Sequence, residues 1–330
     1  MSMGKPDYPG LQHQKIFWQM KMTMQILRAR QAWPLNQKID HSVGAIEAFV
    51  AYCKEHGRTP YVSFSGGLNS TVLLDLARRF VDLNMKGVFC STGNEYPEIV
   101  RFVRHTENIE IIRPTMTPHE VIAQYGFPLV SKEQAQGIYE VRHCKGEKTL
   151  RRRLEGGKNR SATISKKWRY LITEPYEISH KCCEQLKKRP TRLFCRDKKA
   201  ILMVGTMAIE SDLRTGQYLI RGGCNAFSDD PAKVHSAPLS IWTGADCWAY
   251  LQKFAIPYCP IYDVPGIHRT GCVFCGFGAH IGGGTRFRVL YNLHPKLYQM
   301  AMAYTNNGYT LRHALRRMGV QLPDEHPELF

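Results

Sequence analysis

Ser63-Phe64-Ser65-Gly66-Gly67-Leu68-Asn69-Ser70-Thr71 follows the apolar pair Tyr61-Val62 and runs into Val72-Leu73-Leu74-Asp75-Leu76-Ala77-Arg78-Arg79-Phe80. Strand, small-residue loop, then helix is the layout of a phosphate-binding turn. Gly66 and Gly67 tolerate positive φ and let the backbone come close to an anion. The unpaired N–H groups at the start of a helix, with its dipole, favour negative charge there. Ser63, Ser65, Ser70 and Thr71 add neutral hydroxyl donors. The plain alternative is an ordinary strand-to-helix turn with a serine cap. It is not a Walker loop, because no Gly-Lys-Ser/Thr follows a four-residue spacer.

Outward from this loop, strands are expected near 61–64, 87–90, 109–113 and 200–204, with helices between them, including an amphipathic one over 42–56. That alternation predicts an α/β fold with a doubly wound parallel sheet, extended by helices at both ends. A ligand then belongs at the carboxyl ends of the strands, where the Ser65 loop and Ser91–Glu95 would meet. Three regions are expected: a basic helical stretch over 1–57, a nucleotide-binding α/β domain over 58–265, and a CxxC segment with helices over 266–330. Apolar residues near 17, 20, 24 and 27 give helical spacing in the first. The second carries a basic insertion near 145–167, read as a solvated loop or as a clamp on an anionic substrate.

The chain has 330 residues, 43% of them hydrophobic, enough for a sizeable core. No run of about 18 apolar residues is present, which argues against a transmembrane helix. Met1 to Pro6 has no apolar stretch of the secretory kind, so a cytoplasmic location is expected. The formal charge of +17 exceeds what one nucleotide needs. Nucleic acid or an acidic protein is the natural partner for the surplus.

Eleven cysteines without a leader do not suggest a disulfide framework. Cys53, Cys90, Cys247 and Cys259 lie in apolar segments and read as core; Cys144, Cys195 and Cys224 stay ambiguous. Cys272-x-x-Cys275, between Gly271 and Gly276, has the form of a metal knuckle, which supplies half of a Cys₄ set. Cys182-Cys183, on the helix-like run Glu177–Lys187, is the candidate for the other half. An iron–sulfur cluster, structural zinc and free buried thiols are the alternatives, and Cys₄ alone does not choose between the metals.

The SGGxxST loop resembles the pyrophosphate-binding loop of the adenine nucleotide alpha-hydrolase-like superfamily. The tandem cysteines, 89 residues before Cys272 (272 − 183), resemble the [4Fe-4S] signature of the iron–sulfur branch of the PAPS reductase family within it. Ser91-Thr92-Gly93-Asn94-Glu95-Tyr96-Pro97-Glu98 is similar to that family's DTGxxxPE segment. Gly205 to Arg214, with Glu210, is similar to GxRxxES..R, and Pro238 to Tyr250 to PL..WT..DVW.Y. The likeness runs from about Pro60 to Tyr298.

The resemblance implies an adenine nucleotide, ATP or a sulfonucleotide, held by Ser63, Ser65, Gly66, Gly67, Asn69, Ser70, Thr71, Thr92, Gly93, Glu95, Glu210 and Arg214. It implies a [4Fe-4S] cluster on Cys182, Cys183, Cys272 and Cys275, with Mg²⁺ beside a triphosphate. ATP-cleaving members usually carry aspartate where this chain has Asn69, and an amide is the poorer Mg²⁺ ligand. Family reductases use a cysteine in a C-terminal Glu-Cys-Gly-Leu-His motif, whereas the last cysteine here is Cys275. The expected chemistry is therefore sulfur transfer or nucleic-acid modification rather than sulfate reduction. The alternatives are a non-catalytic nucleotide- and nucleic-acid-binding accessory, for example one associated with a phage or a type IV CRISPR locus, and a reductase fed by an external thiol.

Overall fold

The computed structural model describes residues 22–156 and 162–323. The expected helical positions 17 and 20, part of the basic insertion and the last seven residues lie outside them. The described residues form two compact units, the first over 22–88, 108–110 and 197–258 and the second over 89–107, 111–156, 162–196 and 259–323.

Most of a six-stranded, mostly parallel sheet belongs to the first unit. Its strands are β1 (Thr59–Ser63), β2 (Gly87–Cys90), β3 (Ile109–Ile112), β4 (Ala200–Val204), β5 (Asn225–Ala226) and β6 (His235–Ser236), in the spatial order β3-β2-β1-β4-β6-β5. β1 pairs in parallel with β4 from Thr59↔Ala200 to Ser63↔Val204, and with β2 at Val62↔Gly87, while β5 runs antiparallel to β6. Four of these strands fall where the apolar runs predicted them, so the α/β expectation holds.

Helices bury the central strands. Val62 is fully buried and Tyr61 nearly so. The Leu68–Phe80 helix turns Val72, Leu73, Leu76 and Ala77 inward at helical spacing. Each buried Val or Leu contributes about 1.5–3 kcal/mol of transfer free energy. The Leu35–Glu55 helix buries Ile46, Phe49 and Cys53. Its Lys38 meets Asp246 at 2.6 Å, and its Ser42 hydroxyl accepts from Trp242 Nε1 at 2.8 Å and donates to the Pro238 carbonyl at 2.9 Å. Thr243 and Asp246 form the capping box that starts the Gly244–Lys253 helix, as that sequence suggests.

The second unit is mainly helical, with a small template of extended chain that matters for the cysteines. Leu129–Val130 pairs in parallel with Gly276–Phe277, directly after the CxxC. Just before it, Phe127 N–H donates to the Glu177 carbonyl at 2.8 Å, and Ser179 N–H to the Phe127 carbonyl at 3.1 Å. The Phe127–Val130 stretch thus ties the segment entering Cys182 and the segment leaving Cys275 to one piece of backbone. Two glycines make this approach feasible. A Cβ on Gly126, whose φ is +87°, would lie 2.1 Å from the Glu177 carbonyl oxygen, and one on Gly276 2.8 Å from the Pro128 oxygen.

Candidate functional site

In the first unit the turn after β1 is held by its own hydroxyls. Ser65 N–H donates to Ser70 Oγ at 3.2 Å, Gly67 N–H donates to Ser65 Oγ at 3.3 Å, and the Ser70 and Thr71 hydroxyls donate to the Gly67 carbonyl at 2.9 and 3.1 Å. Gly66 takes φ +71°, which only glycine adopts cheaply. Gly67 caps the helix without a side chain, and the first intrahelical bond runs from Thr71 N–H to the Gly67 carbonyl at 3.0 Å. The N–H groups of Leu68, Asn69 and Ser70 precede that bond, as the first turn of any helix requires. They give the turn its anion-binding potential.

Three of the predicted residues converge beside this turn. Asn69 Nδ2 donates to Glu210 Oε1 at 3.3 Å, and Glu210 pairs with Arg214. Glu210 Oε2 also accepts from Met207 N–H at 3.2 Å. An amide at 69 can donate to this carboxylate, whereas an aspartate there would repel it. Gly205, which opens the GxRxxES-like segment, was not among the expected ligand residues. A Cβ on it would fall 2.9 Å from the Asn69 carbonyl oxygen and 3.2 Å from Ser70 N, so the end of β4 and the turn touch backbone to backbone. The signal was the glycine at the end of a strand. A cavity of about 20 Å³ lined by Arg214, Tyr218, Arg221 and His235 lies in the same unit, with room for a single water.

Thr92, Gly93, Glu95 and all four candidate cysteines belong to the second unit. Glu95 closes its own loop: its carboxylate accepts from Thr92 N–H at 3.1 Å, the Thr92 hydroxyl at 2.5 Å and Asn94 N–H at 3.3 Å. Gly93 sits at φ +77° inside that loop. The loop is joined to the CxxC. Val273 N–H donates to the Asn94 carbonyl at 3.0 Å, and Phe274 N–H to Asn94 Oδ1 at 3.4 Å. Cys275 N–H closes the knuckle on the Cys272 carbonyl at 3.1 Å, and Arg286 Nη1 donates to the Cys275 carbonyl at 2.6 Å.

The tandem pair starts a helix at Lys181, four residues later than the helix-like run from Glu177 suggested. The helix widens to a π turn over Glu184–Lys188 before Arg189–Asp197 continues. Pro190 has no N–H to return to the carbonyl of Leu186, four residues back. The Cys90 thiol donates to that carbonyl instead, at 3.2 Å. Cys90, read from sequence as core, is half-buried, and burial with the nearby Glu95 pushes its pKa to about 11.

The electrostatics of this region are mixed. The Cys182 thiol donates to Cys183, which raises the pKa of the former and lowers that of the latter; Lys132, Lys187 and Lys188 add to the lowering. Burial raises both knuckle thiols, Cys275 to about 11, while Lys187 opposes the rise at Cys272. Burial disfavours the Lys187 ammonium, but Cys272 and Glu95 outweigh it and hold its pKa above the ordinary lysine value. The four thiols therefore act on one another. Among the described residues, no three or more His, Cys, Asp or Glu side chains are drawn together as a single bound metal ion requires. No described helix is long and apolar enough to cross a membrane.

An uncharacterized protein of Methanocaldococcus jannaschii is 22% identical over 260 residues, which cover 78% of this chain and 50% of that protein. An adenosine 5'-phosphosulfate reductase of Lysinibacillus sphaericus is 25% identical over 250 residues, 73% of this chain and 84% of that enzyme. The corresponding protein of Bacillus cereus is 28% identical over 109 residues, 31% of this chain and 46% of its own length. The chain thus spans about half the length of two of these three relatives. The crystal structure of phosphoadenylyl-sulfate reductase from Candida auris, a phosphate complex, aligns over 77% of this chain and 97% of its own. Its TM-score is 0.39 and its identity 12%, too loose a match to argue from. The family model of the phosphoadenosine phosphosulfate reductase domain matches residues 59–155 and 147–276, well over half of the sequence, and the chain belongs to that family.

Proposed function

We propose that this protein binds an adenine nucleotide, ATP or a sulfonucleotide, on the Ser65–Thr71 turn. We further propose that it carries a [4Fe-4S] cluster on Cys182, Cys183, Cys272 and Cys275, in the service of sulfur transfer or nucleic-acid modification. The carrying observation is the turn itself: first-turn N–H groups, a ring of hydroxyls and a backbone approach at Gly205 that a side chain would block. The turn would seat the phosphates, and Arg214, held by Glu210, would supply a cation beside them.

For the cluster, the donor set is the support: four mutually interacting thiols, two of them on a closed CxxC knuckle, with a lysine that favours thiolate at Cys272. When bound, such a cluster supplies redox chemistry or a polarising charge; Lys187 and the Phe127–Val130 template are what this chain adds. The charge of +17 supports a polyanionic partner.

Asn69 favours a second reading, a nucleotide-binding accessory without turnover, because its amide is committed to Glu210 and offers Mg²⁺ no carboxylate. Pyrophosphate release from ATP, measured with and without RNA or DNA, separates the two. Release that Ser65→Ala abolishes supports catalysis; tight ATP binding with no release supports the accessory. Sulfite release from a sulfonucleotide in the presence of thioredoxin would instead establish a reductase using an external thiol. Anaerobic protein free of iron and of absorbance near ~400 nm overturns the cluster.

A further inference from the structure

Asn94 is buried to 1% exposure, and its Nδ2 is a buried donor with no hydrogen-bond partner. Such a donor costs about 1–3 kcal/mol, so it calls for an explanation. Its surroundings supply one. The Asn94 carbonyl and Oδ1 take the N–H groups of Val273 and Phe274, the two residues between Cys272 and Cys275. Both N–H groups are thus spent on Asn94. Because Oδ1 is fixed by the Phe274 N–H, the amide is held against the knuckle with both Nδ2 hydrogens uncommitted. Glu95 fixes the loop from the other side by accepting Asn94 N–H.

We infer that Asn94 is a positioning residue of the iron–sulfur site, clasping the knuckle through its oxygens and donating Nδ2–H to sulfur on the Cys272–Cys275 side. The inference rests on the cluster reading above. Hydrogen bonds to cluster sulfur draw charge from the sulfur, which lowers the Fe–S stretching frequencies, and they help hold the cluster in its seat, as outer-shell partners of metal sites do.

The test uses anaerobically prepared full-length wild type, Asn94→Asp and Asn94→Leu. Asp keeps the oxygen that holds Phe274 but adds charge, while Leu keeps shape and neutrality but loses the oxygen. The defect common to both is the missing amide donor. Iron and acid-labile sulfide content of the wild type tests the cluster, and resonance Raman spectra of the Fe–S stretching bands test Asn94. Expected are bands at higher frequency in both variants and roughly tenfold faster loss of iron to a chelator. Loss of iron from both variants with unchanged circular dichroism also supports the inference. A wild type that holds iron, with variants whose bands and chelator kinetics match it, overturns the role of Asn94 alone. A wild type without iron overturns the cluster reading and this inference with it.

Discussion

The Ser63–Thr71 turn and the cysteine region are built on opposite terms. The turn is local and neutral: nine consecutive residues, Ser63 to Thr71, supply nearly all of its hydrogen bonds, and what it offers an anion is backbone N–H groups and hydroxyls. The cysteine region is assembled from distant segments near 90, 127, 182 and 273, and it holds ionisable groups where burial penalises charge. A neutral site can be specified by one short stretch of sequence. A buried ionisable site needs partners, and partners come from elsewhere in the chain.

Two glycines test this contrast. Gly126→Ala carries the largest expected effect. A side chain at φ +87° is strained, and its Cβ would lie 2.1 Å from the Glu177 oxygen. A loss of about 3 kcal/mol or more follows. Thermal unfolding should show a lower midpoint and iron content should fall, while ATP binding by calorimetry stays within about twofold. If iron is retained in full, the Phe127–Val130 template does not organise the cysteines.

Gly205→Ala is the mirror experiment. Its Cβ would meet the Asn69 carbonyl oxygen at 2.9 Å and displace the turn by a few tenths of an ångström. Nucleotide affinity should fall about tenfold, or about 1.4 kcal/mol, with iron content unchanged. Unaltered affinity would mean that the close approach serves packing only.

The smallest effect is a pH dependence confined to the second unit. Glu140 is held down to about 2 by its hydrogen bond from Arg153, at 2.7 Å. A carboxyl whose folded pKa lies below its unfolded value stabilises the fold fully above about pH 4.3, and that contribution is lost as pH falls toward 2. Glu140→Gln should flatten the unfolding midpoint over that window, by on the order of 1 kcal/mol after discounting for solvent screening. An identical profile in wild type and variant removes this pair from the acid response.

Most of the turn was legible because its residues are neighbours in sequence. The sheet was legible for a related reason: buried parallel strands are short apolar runs, and β1, β2, β3 and β4 are such runs. The 89-residue spacing of the cysteines was equally visible. What surrounds them was not. Cys90 looked like any apolar-strand cysteine until Pro190 left the Leu186 carbonyl open for it. Lys187 looked like one charge in a basic helix, and Asn94 like a loop residue. Thr92 and Glu95 also build the loop that holds the knuckle, which their motif did not reveal.

The sequence by itself determined the strand–turn–helix around Ser65, the parallel sheet and the spacing between Cys182-Cys183 and the CxxC. Backbone propensity, periodicity and spacing act over a few residues and can be read in order. Only the tertiary structure decided which groups neighbour the thiols and which carboxylate receives Asn69. The physical reason is that burial and electrostatics depend on distance in space, and chain order does not encode that distance for residues some 90 to 180 positions apart.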